Sequence, residues 1–325
     1  MRHYRRILLA VLGFACTAIE TSAETYPSRP ISMIVPFAAG APVDTVGRVI
    51  AERMRQSLGQ PIILENVSGA AGGIAVVRAA RAPPDGYTLS LGNISSHVLN
   101  GAISAQPFDA LGEFEPVALL ASNPQLILSK NAVPASDLKG LIAWLKANPG
   151  KASAGTGGTG GVSHVGGASF QKETGTQFQF VPYRGTNLAQ QDLIGGQIDL
   201  LFDQAVSALT NVRAGKMRAY AVTAKARLAS APEIPTVDEA GLPGFYMSVW
   251  NAIWVPKGTP KEIVARLNAA VMQALADPAV RKHLDELGLD VPPLNQQTPE
   301  ALRAFHKAEI EKWWPIIKAA NIKTN

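Results

Sequence analysis

The sequence predicts an α/β fold with largely parallel sheets, divided into two lobes. Short apolar runs typical of buried strands alternate with stretches in which apolar residues recur at helical spacing. This alternation is typical of βαβ units, in which a helix returns the chain to a neighbouring parallel strand. Of the 325 residues, 302 remain once a leader of 23 is set aside. That length is enough for two domains of about 150 residues each.

The first 23 residues have the pattern of a secretory signal peptide. Arg2, Arg5 and Arg6 precede an apolar run at residues 7–19, which ends in Thr21-Ser22-Ala23. The run is shorter than the roughly 20 apolar residues that a membrane-spanning helix needs. We therefore expect an exported protein whose mature chain begins at residue 24.

Composition excludes several classes of protein. The single cysteine, Cys16, lies in the leader, so we expect no disulfide, thiol nucleophile or thiolate metal site. Lipid attachment at Cys16 is disfavoured because the bulky Phe14 stands where a small residue is expected. Without the charges of the leader the formal net charge falls from +5 to +3, spread along the chain. Nothing in this balance indicates a nucleic-acid partner.

The predicted elements follow the chain in order. Strands are predicted at residues 31–35, 62–64, 87–91, 117–120, 125–128, 178–181, 198–202, 218–223 and 247–255. The first helix follows from Val46, Ile50 and Met54 at helical spacing, and helices fill most of the remaining gaps. Ser136 is the predicted N-cap of a central helix, and the last helix opens at residues 298–299 and should kink at Pro315.

The loop between the first strand and the first helix is a candidate anion site. A helix N-terminus carries unpaired N–H groups and about half a positive charge, so it can hold a carboxylate without an arginine. The candidate residues are Phe37, Ala38, Ala39, Gly40 and Asp44. An ordinary turn, with Asp44 only a favourable acid in the first helical turn, explains the same residues equally well.

A glycine-rich run at residues 155–161 is the second candidate. It spells G-x-G-x-x-G, but the strand that follows ends without the acidic residue that a dinucleotide ribose requires. We therefore expect no cofactor and interpret the run as a second cradle lined by amides. Its candidate residues are Thr156, Gly157, Gly158, Thr159, Ser163 and His164.

Further candidates stand at the ends of strands, where open α/β sheets gather their ligand groups. His97 follows one predicted strand, Arg184, Gly185 and Thr186 follow another, and Asp203 follows a third. A structural ion pair would explain Arg184 or Asp203 as well.

Catalysis and metal binding have little support. Ser163 and His164 are adjacent on a helix start and point in different directions, and the segment is not G-x-S-x-G. The histidines outside the leader form no ligand pair, so we expect no metal. His283 and His306 lie in charge-rich helices and are expected at the solvated surface. The tryptophans expected in the core or between lobes are Trp250, Trp254, Trp313 and Trp314.

Six segments in a fixed order carry a resemblance to a known family. They are residues 26–31 (YPSRPI), 35–40 (VPFAAG), 84–89 (PDGYTL), 181–185 (VPYRG), 195–199 (GGQID) and 234–241 (IPTVDEAG). Together they resemble the Bug family, the TctC-like extracytoplasmic solute receptors of tripartite tricarboxylate transporters. The likeness runs from Tyr26 to about Leu294.

The resemblance implies the two α/β lobes of a type II periplasmic binding protein around a ligand cleft. The chain would cross near Gln125 and Met247, giving one lobe of residues 24–125 plus 247–325 and another of residues 126–246. Family members are expected to grip a carboxylate through backbone amides and waters of the two loops named above. Ala41 and Val43 depart from the family's usual glycine and small polar residue.

The resulting hypothesis is a monomeric, non-catalytic periplasmic receptor that captures a small carboxylate by lobe closure and delivers it to the membrane subunits of such a transporter. The two loops would hold the carboxylate, while Asp203 and Asp44 would contact the rest of the ligand. A ligand-sensing receptor for a sensor protein and a secreted hydrolase remain as alternatives.

Overall fold

The computed structural model describes residues 26–103 and 108–322, so the predicted signal peptide lies outside the described residues. The strands are β1 Ile31–Val35, β2 Ile62–Asn66, β3 Thr88–Asn93, β4 Phe114–Ser129, β5 Ser153–Thr156, β6 Gln179–Pro182, β7 Leu200–Gln204, β8 Arg218–Val222 and β9 Ser248–Pro256. The helices are α1 Pro42–Leu58, α2 Gly73–Ala80, α3 Asn100–Ile103, α4 Leu138–Ala147, α5 Val162–Thr174, α6 Thr186–Ile194, α7 Ala205–Arg213, α8 Lys261–Ala276, α9 Pro278–Glu286 and α10 Pro299–Ala319. This content confirms the predicted α/β class.

The described strands follow one path, β2-β1-β3-β9-β4-β7-β5-β6, with β8 also paired to β4. We call β2, β1, β3, β9 and the first part of β4 the first half-sheet, and the last part of β4 with β5 to β8 the second half-sheet. Pairing is parallel from β2 through β3 and among β5, β6 and β7. These are the segments where helices return the chain between neighbouring strands, as the alternation in the sequence predicts.

The two long strands β4 and β9 depart from the prediction of largely parallel sheets, because each pairs antiparallel with its neighbours. The sequence also suggested two strands where β4 forms one. Up to Pro124, β4 pairs with β9, and from Gln125 onward it pairs with β7 and then β8. One strand therefore belongs to both half-sheets and exchanges its partner between two consecutive residues. The predicted lobe boundaries remain a prediction, although this exchange lies beside them.

Apolar clusters cover the faces of both half-sheets. In the first, one cluster packs α1 and α8 on β1, β3 and β9, and another gathers Trp250, Trp254 and Trp313 against α2 and α10. In the second, α4 and α5 pack on one face and α6 and α7 on the other. The tryptophans at 250, 254 and 313 are thus core residues, as expected.

Two local expectations from the sequence are wrong. His306 is 1% exposed, because it lies on the face of α10 that also buries Leu302 and Trp313, and the charged residues of that helix occupy its other faces. The N-cap of α4 is Asp137, whose carboxylate accepts a hydrogen bond from the Gly140 amide at 2.7 Å. Ser136, the predicted cap, lies one residue too early.

Within residues 26–103 and 108–322, no helix combines the length and hydrophobicity needed to cross a membrane. The same residues hold no cluster of three or more histidine, cysteine, aspartate or glutamate side chains that could coordinate a metal ion.

Candidate functional site

A cleft of about 740 Å³ lies where the two half-sheets meet. The loop before α1, the C-terminal end of β3 and the N-terminal part of β9 contribute to one side of it, and the loops before α5, α6 and α7 contribute to the other. The predicted site residues that line it are Phe37, Gly40, Gly157, Gly158, Thr159, Ser163, Gly185, Thr186 and Asp203. Both predicted cradles therefore open into one space.

Four helices direct their N-termini at this cleft, and none of them has a side-chain cap. The N-cap positions of α1, α5, α6 and α7 are Ala41, Gly161, Gly185 and Gln204, and all four line the cleft. Outside the cleft, α4, α9 and α10 are capped by the side chains of Asp137, Asp277 and Thr298, whereas α8 has no side-chain cap. The first turn of an α-helix leaves backbone N–H groups without an intrahelical acceptor, so the cleft collects donors that the protein has not satisfied with its own side chains.

Asp44 holds the loop before α1 instead of lining the cleft. Its carboxylate is 1% exposed and accepts hydrogen bonds from the Gly40 amide at 2.9 Å and from Asn66 Nδ2 at 2.9 Å. Arg48 completes the arrangement with Nε at 2.9 Å and Nη2 at 3.1 Å. Asn66 Nδ2 also donates to the Phe37 carbonyl at 2.9 Å, so one cluster ties both ends of the loop to α1 and β2.

The ionisation of Asp44 reflects this clamp. Burial by itself would raise the pKa of the carboxyl, but the hydrogen bonds from Arg48, Gly40 and Asn66 outweigh burial and hold the pKa below its usual value. Asp44 is therefore a carboxylate whose acceptor positions are directed at the protein. Ala38 and Ala39, also predicted as site residues, are exposed and lie outside the lining of the cleft.

The glycine run is held open by two side chains from the first turn of α5. The Gly157 amide donates to Ser163 Oγ at 2.8 Å, and the Gly160 amide donates to His164 Nδ1 at 3.0 Å. Burial lowers the pKa of His164, which favours the neutral ring that this acceptor role requires. Ser163 and His164 thus both accept hydrogen bonds from amides of the loop, and these bonds fix the position of the loop.

The remaining members of the second predicted cradle differ in their placement. Thr156 is buried at the end of β5, and its hydroxyl accepts a long hydrogen bond of 3.4 Å from the Gly158 amide. Arg184 is exposed and does not line the cleft, whereas Gly185 and Thr186 after it do. The structure therefore brings the backbone of this loop to the cleft without its cation.

Asp203 is the one charged side chain among the described residues that line the cleft, and no lysine or arginine is among them. Its carboxylate is 1% exposed and accepts hydrogen bonds from Gln190 Nε2 at 2.6 Å and the Gln204 amide at 2.8 Å, with the hydroxyl of Thr186 as a further donor. Burial raises the pKa of Asp203 despite these donors. The electrostatic field in the cleft therefore comes from backbone dipoles and one buried carboxyl group.

His97 lies away from this cleft, inside the first half-sheet. Its ring stacks on Trp254 with the centroids 4.0 Å apart, and its nitrogens pair with Ser96 Oγ at 2.9 Å and Ser90 Oγ at 3.2 Å. It is 2% exposed and is absent from the lining of the cleft. The expectation that His97 faces the ligand is not supported by this placement.

Besides Gln204, three further amide residues line the cleft that were not predicted as site residues, Asn93, Gln125 and Asn251. They stand on β3, β4 and β9, and Asn93 and Asn251 are register partners. Gln125 has its backbone fixed by Thr223 and Met247, and its Oε1 has no hydrogen-bond partner in the described structure. These residues belong to the site because of their position where the strands meet. Sheet pairing determines that position, and no local sequence pattern indicates it.

Comparisons with known proteins agree with this geometry. Residues 46–322 match the tripartite tricarboxylate transporter family receptor, TctC. MatC from Rhodopseudomonas palustris, solved with bound malate, is 38% identical and superimposes with a TM-score of 0.77, covering 90% of this chain and 100% of its own. The R. palustris protein Rpa4515, solved with adipate, is 30% identical with a TM-score of 0.78 and coverage of 92% and 99%.

The periplasmic binding protein BugD gives the same result, with 37% identity, a TM-score of 0.76 and coverage of 92% of this chain and 100% of its own. These similarities cover 90% or more of this chain. The chain belongs to the TctC family of tripartite tricarboxylate transporter receptors, the Bug-type periplasmic solute-binding proteins.

Proposed function

We propose that this protein is a non-catalytic periplasmic receptor that binds a small carboxylate in the cleft between its half-sheets and delivers it to the membrane subunits of a tripartite tricarboxylate transporter. The leader, the two lobes and a monomeric state belong to the same proposal. Malate and adipate in the related structures support a carboxylate ligand.

The observation that carries the proposal is the set of four helix N-termini that meet at a cleft without a lysine or arginine in its described lining. Each N-terminus offers unpaired N–H donors and the positive end of a helix dipole. A carboxylate bound by such donors is held by several directed hydrogen bonds, and its binding depends little on any single ion pair. This is the chemistry of anion binding at helix N-termini.

Closure of the two half-sheets around the ligand would follow from the positions of the N–H donors. The loop before α1 and the loops before α5, α6 and α7 approach the cleft from opposite sides. A ligand that bonds both sides interacts more strongly with the closed arrangement and shifts the equilibrium toward it by that difference in free energy. The two sides would rotate about the point in β4 where the strand changes its partner.

The experiment is isothermal calorimetry and thermal unfolding of the purified protein with a panel of mono-, di- and tricarboxylates. A ligand at 100 times its dissociation constant adds about 2.7 kcal/mol to the stability of the folded state. A few carboxylates should bind and stabilise the protein. A folded, ligand-free preparation that binds none of them would contradict the proposal.

A backbone variant tests the grip itself. Val162 is the first residue of α5, and Gly161 before it has an extended conformation (φ −68°, ψ 167°) that accommodates a following proline. Val162→Pro removes one cleft-facing N–H, and because a hydrogen bond to a charged group is worth about 1.5–3 kcal/mol, affinity should fall roughly ten- to hundredfold.

The matched control is Lys261→Pro, which makes the same change at the first residue of α8, where Pro260 is extended and the site lies outside the cleft. Its affinity should equal that of the parent protein. Equal affinity for the Val162 variant as well would show that the α5 N-terminus does not hold the ligand.

A further inference from the structure

One end of the cleft is apolar, and its residues come from both sides. Leu287 and Leu289 stand in the turn after α9, and Val206 stands in the first turn of α7. Val43 and Val46 of α1 lie behind them in the same apolar cluster as Leu289. We call Val206, Leu287 and Leu289 the apolar wall.

The two contributors of the wall lie close together. A methyl group built on Gly288 would lie 3.5 Å from Val206 Cβ, which is ordinary van der Waals contact. The turn after α9 is attached to β4, since Asn123 Nδ2 donates to the Gly288 carbonyl at 3.0 Å and Ser122 pairs with Asp290. Because the backbone of this turn is attached to β4, its side chains form a surface that a ligand can cover.

The charge near the wall disfavours a second anionic group. Asp203 precedes Val206 by three residues and is the charged side chain of the described lining. Its oxygens already accept from Gln190, Gln204 and the Thr186 hydroxyl, and the side chain is 1% exposed, so it is poorly placed to pair with a ligand ammonium. A hydrocarbon group meets neither repulsion nor an unsatisfied partner at this end.

We infer that the ligand is a monocarboxylate with an apolar tail of four or more carbons, whose carboxylate lies at the helix N-termini and whose tail covers the apolar wall. This inference rests on the proposed function and adds the chemical class of the ligand. Burial of hydrocarbon against Val206 and Leu287 is then the main source of selectivity. Short polar acids lose that contribution while keeping the same carboxylate grip.

The test is a calorimetric series of butyrate, hexanoate and octanoate, with succinate and malate as short polar comparators. Each methylene that the wall covers should tighten binding about fourfold. Octanoate should therefore bind most tightly of the three, and hexanoate should bind more tightly than malate. Affinity that stays flat or falls with chain length, or a preference for malate over hexanoate, would overturn the inference.

Variants of the wall locate the effect. Val206→Thr keeps the shape and replaces one methyl group with a hydroxyl, and Leu287→Ala shortens the side chain, so each should weaken octanoate several-fold more than butyrate. Leu294→Ala is the matched control for Leu287→Ala, because Leu294 is 61% exposed and lies outside the cleft. Equal losses for both acids in the wall variants would contradict a tail-binding role.

Failure of this inference and failure of the proposed function give different results. If carboxylates bind but chain length has no influence, the receptor assignment stands and the apolar wall is not the selective element. If no acid in the series or the wider panel binds, the proposed function fails and the inference fails with it.

Discussion

The carboxylate of Asp44 receives hydrogen bonds from its own loop, from its own helix and from β2. Asp44→Asn keeps one acceptor oxygen but gives up the charge that pairs with Arg48. We expect a loss of about 1.5–3 kcal/mol in the free energy of unfolding, the range for a charge-assisted hydrogen bond. Affinity should fall by a similar factor for every ligand, amine-bearing or not, because the change acts through the loop. Urea unfolding and calorimetry measure the two effects.

The control for that variant is Glu52→Gln, which breaks an exposed ion pair with Arg55 on the same helix. Exposed pairs of this kind contribute about 0–1 kcal/mol, so stability and affinity should barely change. A loss confined to amine-bearing ligands in the Asp44 variant would instead place Asp44 in contact with the ligand.

Buried histidines make stability depend on pH. Burial lowers the pKa of His306, and burial together with His306 lowers the pKa of His97 well below its usual value. The folded protein therefore binds fewer protons than the unfolded chain, whose histidines titrate near pH 6.5. Stability from these neutral rings is fully present above that pH and is lost progressively as the pH falls below it toward the lower pKa values of the folded protein.

His306→Gln should reduce the change in unfolding free energy between pH 7.5 and pH 5.5, measured in urea. His283→Gln removes an exposed ring of α9 and should leave the pH dependence of the parent protein unchanged. An unaltered slope in the His306 variant would show that this ring does not carry the effect.

The positions of some site residues could be predicted from the sequence, whereas the directions of their side chains could not. The loop residues Phe37 and Gly40 and the glycines at 157 and 158 line one cleft, and the helix N-termini beside them can be located from the sequence. The direction of a side chain cannot be located in that way. Asp44 turns toward Arg48, and His306 turns into the core, since packing against distant segments decides both.

At the scale of single elements, the N-cap of α4 offers a clean test. Asp137→Ala removes the acceptor of the Gly140 amide, so the free energy of unfolding should fall by about 1 kcal/mol. Ligand affinity should not change, because this helix end lies outside the cleft. Ser136→Ala is the neighbouring control and should cost far less. A larger loss from Ser136→Ala would restore that residue as the cap.

The strands also divide into features that the local sequence predicts and features that depend on pairing with distant segments. The sequence located the apolar runs of β1, β3 and β7, but it placed a break between the two parts of β4. Asn123 and Pro124 suggest a turn in isolation, and the strand continues through them because β9 pairs as far as Pro124 and β7 pairs from Gln125. A change of partner inside one strand leaves no periodic signal in the sequence.

At the scale of the whole molecule, Gly160 is where the glycine run meets the opposite side of the cleft. It has φ +76°, and a methyl group built on it would lie 2.6 Å from Ile103 Cδ1. Gly160→Ala should lower stability by about 1 kcal/mol through backbone strain. Ligand affinity should also fall by about tenfold, because the added methyl holds the two sides apart.

Gly150→Ala is the matched control, since Gly150 has a similar φ of +70° with no atom within 4 Å of an added methyl. It should cost the same stability and leave affinity intact. Equal affinities for the two variants would show that the Gly160 contact is unimportant for the ligand-bound form.

The attachment of the Leu287 turn to β4 has a mechanical consequence. Asn123 and Ser122 hold that turn one or two residues before the strand changes its partner, while Val206 belongs to the other half-sheet. If the two half-sheets rotate about β4 as proposed, the gap between Leu287 and Val206 opens and closes with the angle between them. A longer ligand placed in that gap would act as a wedge and set a wider angle, so the outer surface of the receptor would report the size of its cargo to whatever docks on it.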